Sequence, residues 1–192
     1  MLISHIAKND IIFLQVDADC DGYTSSALLL NYLNDIFPNF VQNNILYRTH
    51  DIKCHGLLLD TIPENVSLVI APDSSSNQYE EHKILKEKNI DVLVLDHHEA
   101  EYISPYACVI NNQLCDYPNK QLSGVGIVYK FCCFIDSLLG IDNAKKYLDL
   151  VAVGMIADMM ALTNIETKEL ISMGLKQINN PFLDAIIERN GF

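Results

Sequence analysis

Five short apolar runs recur along the first 110 residues, at 11–16 (IIFLQV), 43–47, 66–71 (VSLVIA), 91–95 (DVLVL) and 107–110. Runs this short and continuous suit strands buried on both faces, and the stretches between them carry apolar side chains at helical spacing. The alternation predicts an α/β fold: a mainly parallel five-stranded sheet flanked by helices. Residues 24–37 (TSSALLLNYLNDIF) open on Thr and Ser caps and stop before Pro38, as a helix should. Residues 78–89 (QYEEHKILKEKN) read as a surface helix with charge on one side and Ile84 and Leu85 on the other. From about residue 123 the character changes. Ser123-Gly124-Val125-Gly126 leads into a helix to about Leu139, Ile141-Asp142 starts another to about Met160, and 166–179 and 182–189 give two more. This helical second half is expected to pack on the sheet.

Polar positions matter most where they interrupt the apolar pattern. Three strand candidates end in acid: IIFLQV runs into Asp17, Asp19 and Asp21 of DADCDG, VSLVIAP into Asp73, and DVLVL into Asp96-His97-His98. Parallel strands deliver their carboxyl ends to one edge of a sheet, where ligands bind in open α/β folds. In DADCDG a loop leaving the strand can fan its three carboxylates around one centre, with Gly22 easing the turn. Ser74-Ser75-Ser76 can cap the helix that follows Asp73. A fourth acid, Asp158, lies in the apolar segment VAVGMIADMMAL.

Converging carboxylates raise one another's pKa and cost several kcal/mol each when buried unpaired, so such an edge calls for cations. Oxygen ligands with one or two imidazoles suit Mn²⁺ or Mg²⁺ better than a thiolate-selected metal, and the number of acids suggests two ions. A two-ion clamp, with the metals about 3.5–4 Å apart, points to in-line displacement at phosphorus.

Each of these residues has an ordinary reading when taken alone. A single Asp after a strand is usually a helix cap, and an adjacent His pair is usually a surface loop; three such loops on one edge reverse that reading. His5, His50, His55 and His82 read as ordinary histidines. Lys130 and Tyr129 read as parts of a helix face, with a phosphate contact as the alternative. The six cysteines form no CxxC pair, so they read as reduced thiols, and Cys20 as a packing residue within the acidic loop.

Charge and composition narrow the partners. With 13 Lys and Arg against 25 Asp and Glu the net charge is -12, and no basic track for a long polyanion is visible. Bound divalent cations would invert the field locally. No apolar run approaches the roughly 20 residues needed to cross a bilayer, and the start MLISHIAKND lacks the pattern of a secretory signal, so the expected location is the cytoplasm, with no membrane partner.

Taken together, DADCDG, PDSSS, LDHHEAE and the pair SGVGIVYK and VAVGMIADMMAL resemble, in order and spacing, the motifs of the DHH phosphoesterase superfamily. They are closest to the catalytic core of RecJ-type single-strand exonucleases. The resemblance covers nearly the whole chain and implies a DHH catalytic domain over 1–192. It implies that Asp19 and Asp73 hold one metal, that Asp21, Asp73, His97 and Asp158 hold the other, and that Asp73 bridges them. Asp96 would orient the His pair, and His98 would face the scissile phosphate. Relatives outside the RecJ branch place a metal-binding His where this chain has Gln15, which makes Asp17 the candidate replacement.

The implied activity is 5′-to-3′ hydrolysis of single-stranded DNA to 5′-mononucleotides. An oligoribonuclease or cyclic-dinucleotide phosphodiesterase is one alternative. A catalytically silent DHH scaffold in a replication or repair assembly is another, although such modules usually lose ligands that this chain keeps. The family's glycine-rich, His-containing second domain has no counterpart here, so the expectation is a substrate-binding domain or partner protein that supplies that surface to a single strand or short oligonucleotide.

Overall fold

The computed structural model describes residues 1–50 and 54–190. The elements are α1 (Leu2–Lys8), β1 (Ile12–Val16), α2 (Cys20–Ile36), α3 (Pro38–Asn44), β2 (Ile45–Thr49), β3 (Leu68–Pro72), α4 (Tyr79–Glu87), β4 (Asp91–Asp96) and β5 (Cys108–Asn111). The helical second half follows as α5 (Gly124–Leu139), α6 (Leu148–Ala157), α7 (Ile165–Lys176) and α8 (Pro181–Asn190). Each of the five predicted strands is present, shifted by no more than a few residues.

The strands form one sheet in the order β2-β1-β3-β4-β5, and every pairing is parallel. The chain leaves β1 for one edge and returns to its other side at β3. The carboxyl ends of β1 and β3 therefore flank the point where strand order reverses, the usual ligand crevice of such sheets.

Alternate side chains of each central strand serve different cores. Ile12, Leu14, Val16, Leu68, Ile70, Leu93 and Leu95 pack with α2, α5 and α6, joined by Leu170 and Ile171 of α7. Phe13, Val69, Ala71, Val92 and Val94 pack on the opposite face with Leu85 of α4 and with Leu57 and Val66. The helical second half thus covers one face, as the hydrophobic pattern requires.

Local chemistry moves several boundaries. The helix expected from residue 24 starts at Cys20, because Asp19 caps it by accepting a hydrogen bond from the Gly22 amide at 2.9 Å. The segment expected as one helix from Ile141 divides into a 3-10 turn at Ala144–Tyr147 and then α6. In α4 the inward residues are His82 and Leu85, while Ile84 is exposed. Ser74–Ser76 do not cap that helix; its N-cap is Gln78, without a side-chain bond.

Candidate metal centre

Asp17 follows β1 directly and is fully buried. The helix start at Cys20 changes the expected picture of a loop that fans three acids. Asp19 is a cap, and Asp21 sits in the first turn of α2. The Asp21 carboxylate accepts from Ser123 Oγ at 2.9 Å, from the Gly124 amide at 2.6 Å and from the Val125 amide at 3.2 Å. It thereby ties the first turn of α2 to that of α5, where unpaired amides and the helix dipole favour an anion.

Asp73 follows β3 in the left-handed region, with φ of 62°. A non-glycine residue there costs on the order of 1–3 kcal/mol, a strain typical of functional sites. Two glycines make room for the acids. A Cβ on Gly124 would lie 2.3 Å from Asp73 Oδ1, and one on Gly154 would lie 2.4 Å from Thr24 Oγ1 and 2.6 Å from Asp21 Oδ1. Both belong to the late motifs, SGVG and VAVGM, so those segments contribute empty space as well as Asp158.

His97 Nε2 stands 3.3 Å from Asp73 Oδ1, 3.5 Å from Asp158 Oδ2 and 3.9 Å from Asp21 Oδ2. Yet His97 Nε2, Asp73 Oδ1 and Asp158 Oδ2 are all buried without a hydrogen-bond partner among the described residues. Buried polar atoms are rarely left so, and a cluster of one imidazole nitrogen and several carboxylate oxygens fits a divalent cation by its donor chemistry. Burial raises Asp73 well above the usual carboxylate range, and the charges of Asp21, Asp19 and Asp96 add to the shift. Asp158 is raised chiefly by burial. Burial and the neighbouring His98 hold His97 below its ordinary value, which favours the neutral ring that a metal requires.

Asp96 organises the histidine pair. One of its oxygens accepts from the His97 amide at 2.7 Å, the His98 amide at 3.2 Å and His98 Nδ1 at 2.7 Å, and the other accepts from the Ser76 amide at 2.9 Å. Burial alone would raise Asp96, but these bonds, led by that from His98, bring it down to about 2. The same bond raises His98, whose ring is half exposed. With Nδ1 held by Asp96, Nε2 is the nitrogen left to face a ligand. A cavity of about 360 Å³ adjoins it, lined by His55, Ser74, Ser75, Ser76 and His98 among others.

The structure therefore draws Asp21, Asp73, His97 and Asp158 together, while Asp17 and Asp19 gather with His55, which the sequence pattern alone reads as an ordinary histidine. Asp17 Oδ2 lies 2.7 Å from His55 Nδ1, and Asp17, Asp19 and His55 each offer a ligand atom within 4.8 Å of the others. His50 also faces Asp17, with Nε2 at 3.8 Å from Oδ1. The available signal was the position of both histidines just beyond the second apolar run, which pairs with β1. Gln15, where an imidazole is missing, donates from Nε2 to the Arg48 carbonyl at 3.1 Å and accepts from Thr61 Oγ1 at 3.2 Å.

Other candidates have local explanations. His5 bridges Asp10 at 2.8 Å and Asp91 at 3.2 Å, and buried His82 is lowered to about 4 by desolvation. Lys130 pairs with Glu166 at 2.9 Å and lies 5.9 Å from the Tyr117 ring centre, which occupies its charge within the helical half, and Tyr129 is partly buried against the core. Cys20 is exposed, which corrects its reading as a packing residue, and the cysteines are free thiols. Among the described residues no helix is long and apolar enough to cross a membrane.

Comparison with known proteins identifies the family and the fold. The family described as "DHH family, N-terminal domain" matches residues 11–155. A putative SPbeta prophage-derived single-strand DNA-specific exonuclease, YorK of Bacillus subtilis (strain 168), is 45% identical over 192 residues, all of this chain and 33% of the relative. The single-stranded-DNA-specific exonuclease RecJ of the same organism is 31% identical over 204 residues, 97% of this chain and 24% of the relative. The chain thus spans a third or less of the length of these two relatives. A crystal structure of exonuclease RecJ bound to manganese superposes with a TM-score of 0.81 at 24% identity, covering 92% of this chain and 46% of that one, which shows a shared fold.

Proposed function

We propose, for a chain that belongs to the DHH family, that the acidic edge is a two-metal centre for phosphodiester hydrolysis, within a 5′-to-3′ exonuclease that releases 5′-mononucleotides from single-stranded DNA. The observation that carries this reading is the set of buried, unpartnered donors around His97, namely its Nε2, Asp73 Oδ1 and Asp158 Oδ2. Asp21, Asp73, His97 and Asp158 would hold one ion, and Asp17, Asp19 and Asp73 the other, with Asp73 between them. Bound divalent cations would supply Lewis acidity toward phosphoryl oxygens and ready ionisation of water.

The chain's own groups do the rest. Asp96 locks the rotamer and tautomer of His98 and sustains its proton, so His98 Nε2 can donate to a phosphate oxygen or to a leaving group. Asp21, anchored by the Ser123 hydroxyl and two amides of α5, holds its place without reorganising. A retained acid and imidazole set argues against the silent scaffold, and the RecJ relatives supply the choice of single-stranded DNA.

The charge balance favours one second reading. With 13 basic against 25 acidic side chains, the chain is better suited to a dinucleotide or short oligonucleotide than to a long strand, unless a second domain or a partner protein supplies the track. The test is Mn²⁺-dependent cleavage of 5′-labelled and 3′-labelled single strands alongside dinucleotides, with chelator controls. Release of labelled mononucleotide first from the 5′ end supports the exonuclease reading. Preference for dinucleotides supports the alternative, and no metal-dependent cleavage of any phosphodiester rejects both.

A further inference from the structure

Beyond the acids, an imidazole pair, His50 and His55, stands at the carboxyl end of β1. Its approach is set by pairing, because β2 lies directly beside β1 with Gln15 opposite Arg48 and Val16 opposite Thr49. Gln15, fully buried, reinforces the placement: its amide reaches the Arg48 carbonyl at 3.1 Å and meets His50 Nδ1 at 3.5 Å. The result is that His55 Nδ1 lies 2.7 Å from Asp17 Oδ2.

Two atoms at this place lack a hydrogen-bond partner among the described residues. Asp17 Oδ1 and His50 Nε2 are both buried without a hydrogen bond, 3.8 Å apart. That distance is too long for a hydrogen bond, yet it falls within the roughly 4.2 Å that can separate two ligands on one ion with bonds of about 2.1 Å. A buried carboxylate with one oxygen unsatisfied is unfavourable, and a cation shared with the neighbouring donors removes the penalty.

We infer that His55 is a metal ligand of the Asp17–Asp19 site, with His50 beside it, so that this second ion is held by imidazole as well as carboxylate. The inference rests on the two-metal reading above. It carries a consequence for metal choice, because imidazole strengthens binding of Mn²⁺ and later transition metals relative to Mg²⁺. His55 is therefore the residue that tunes this site toward Mn²⁺, while the His97 site depends on a different ring.

Direct titration with Mn²⁺ alone, followed by the loss of the free-ion EPR signal and by calorimetry, tests the assignment without any activity readout. The wild-type chain should bind two ions. His55→Ala should weaken one of them at least tenfold for Mn²⁺ and less for Mg²⁺, while His97→Ala weakens the other. The His55 ring is 58% exposed, so its truncation leaves the core packed but removes the 2.7 Å contact with buried Asp17; metal-free melting is followed alongside, and His55→Gln, which keeps a donor for Asp17 but no imidazole nitrogen, should show the same loss of Mn²⁺ affinity. If His55→Ala binds two Mn²⁺ ions with wild-type affinities, the inference fails and the two-metal reading stands. If the wild type binds a single ion that only His97→Ala removes, the second site does not exist and the inference also fails. If the wild type binds no Mn²⁺, the proposed function itself falls.

Discussion

Asp73 Oδ1 and His97 Nε2 face each other at 3.3 Å in a buried space and make no hydrogen bond. Asp73 is aimed there by its left-handed backbone, and His97 by the grip of Asp96 on its amide. Two strong polar groups held that way, by strain on one side and by a dedicated anchor on the other, are arranged for a third species that both can bind.

Replacing Asp73 by Asn should abolish metal-dependent hydrolysis while sparing the fold. The carboxyl group of Asp73 is raised in the folded protein, so the folded state retains a proton that the unfolded chain has lost, and stability falls as pH rises above about 3.8. The neutral amide removes that dependence. Metal-free melting at pH 7 should stay level or rise by a few degrees, roughly 1–2 kcal/mol, and Mn²⁺ should no longer raise it. More than a tenth of wild-type turnover in this variant would take Asp73 out of the bridging position.

The adjacent histidines should separate under mutation. His97→Ala should weaken Mn²⁺ binding, whereas His98→Ala should leave the titration nearly unchanged and lower turnover. Identical metal affinities and rates in the two variants would show the division of labour to be wrong.

Asp96→Asn should shift the pH behaviour of His98 in a defined direction. The raised His98 stabilises the fold fully below its unfolded value and loses that contribution as pH climbs through the folded one, while Asp96 contributes above about 3.8 and loses its share as pH falls toward about 2. The pair therefore matters most between about pH 4 and 6.5. In the variant, His98 should titrate lower by NMR and the stability loss should peak in that window. An unchanged His98 titration refutes the coupling.

Gly124→Ala should damage the centre out of proportion to its size. The added methyl would meet Asp73 Oδ1 at 2.3 Å, whereas the same change at Gly126 meets the flexible Leu122 side chain, no nearer than 3.2 Å. Mn²⁺ affinity should drop about tenfold or more in the first variant and hold in the second. Equal affinities would mean that Asp73 can relax without leaving its ligand position.

Away from the centre, the Tyr32 hydroxyl donates to Asp136 Oδ1 at 2.8 Å, and the other oxygen of Asp136 accepts from the Ala144 amide at 2.8 Å. Tyr32→Phe leaves a buried carboxylate oxygen unsatisfied, at a cost of about 1–3 kcal/mol, or roughly 3–10 °C in melting temperature. Metal binding should be unaffected. A melting temperature within a degree of wild type would show that solvent reaches Asp136.

How much of this was legible in the chain follows from the range over which each signal acts. Strand period, apolar continuity and an acid directly after each run are local, so the five strands and the placement of Asp17, Asp73 and Asp96 at one edge could be read without coordinates. A helix start is set by one side chain and one amide, and here the Asp19 bond to Gly22 overrode the Thr and Ser signals that pointed to residue 24. The inward face of α4 depended on contact with the sheet, which took His82 in place of Ile84.

The sequence by itself determined the parallel sheet, the helical second half and the acids and imidazoles gathered at one edge, because periodicity and the strand-to-loop transition are encoded by neighbours. Only the tertiary structure decided the company those residues keep. Asp21 is anchored by residues more than a hundred positions away, Gly124 and Gly154 serve through the space they leave, and His55 meets Asp17 because β2 lies beside β1. Strand order and helix packing bring such partners together across the chain, and no local pattern records them.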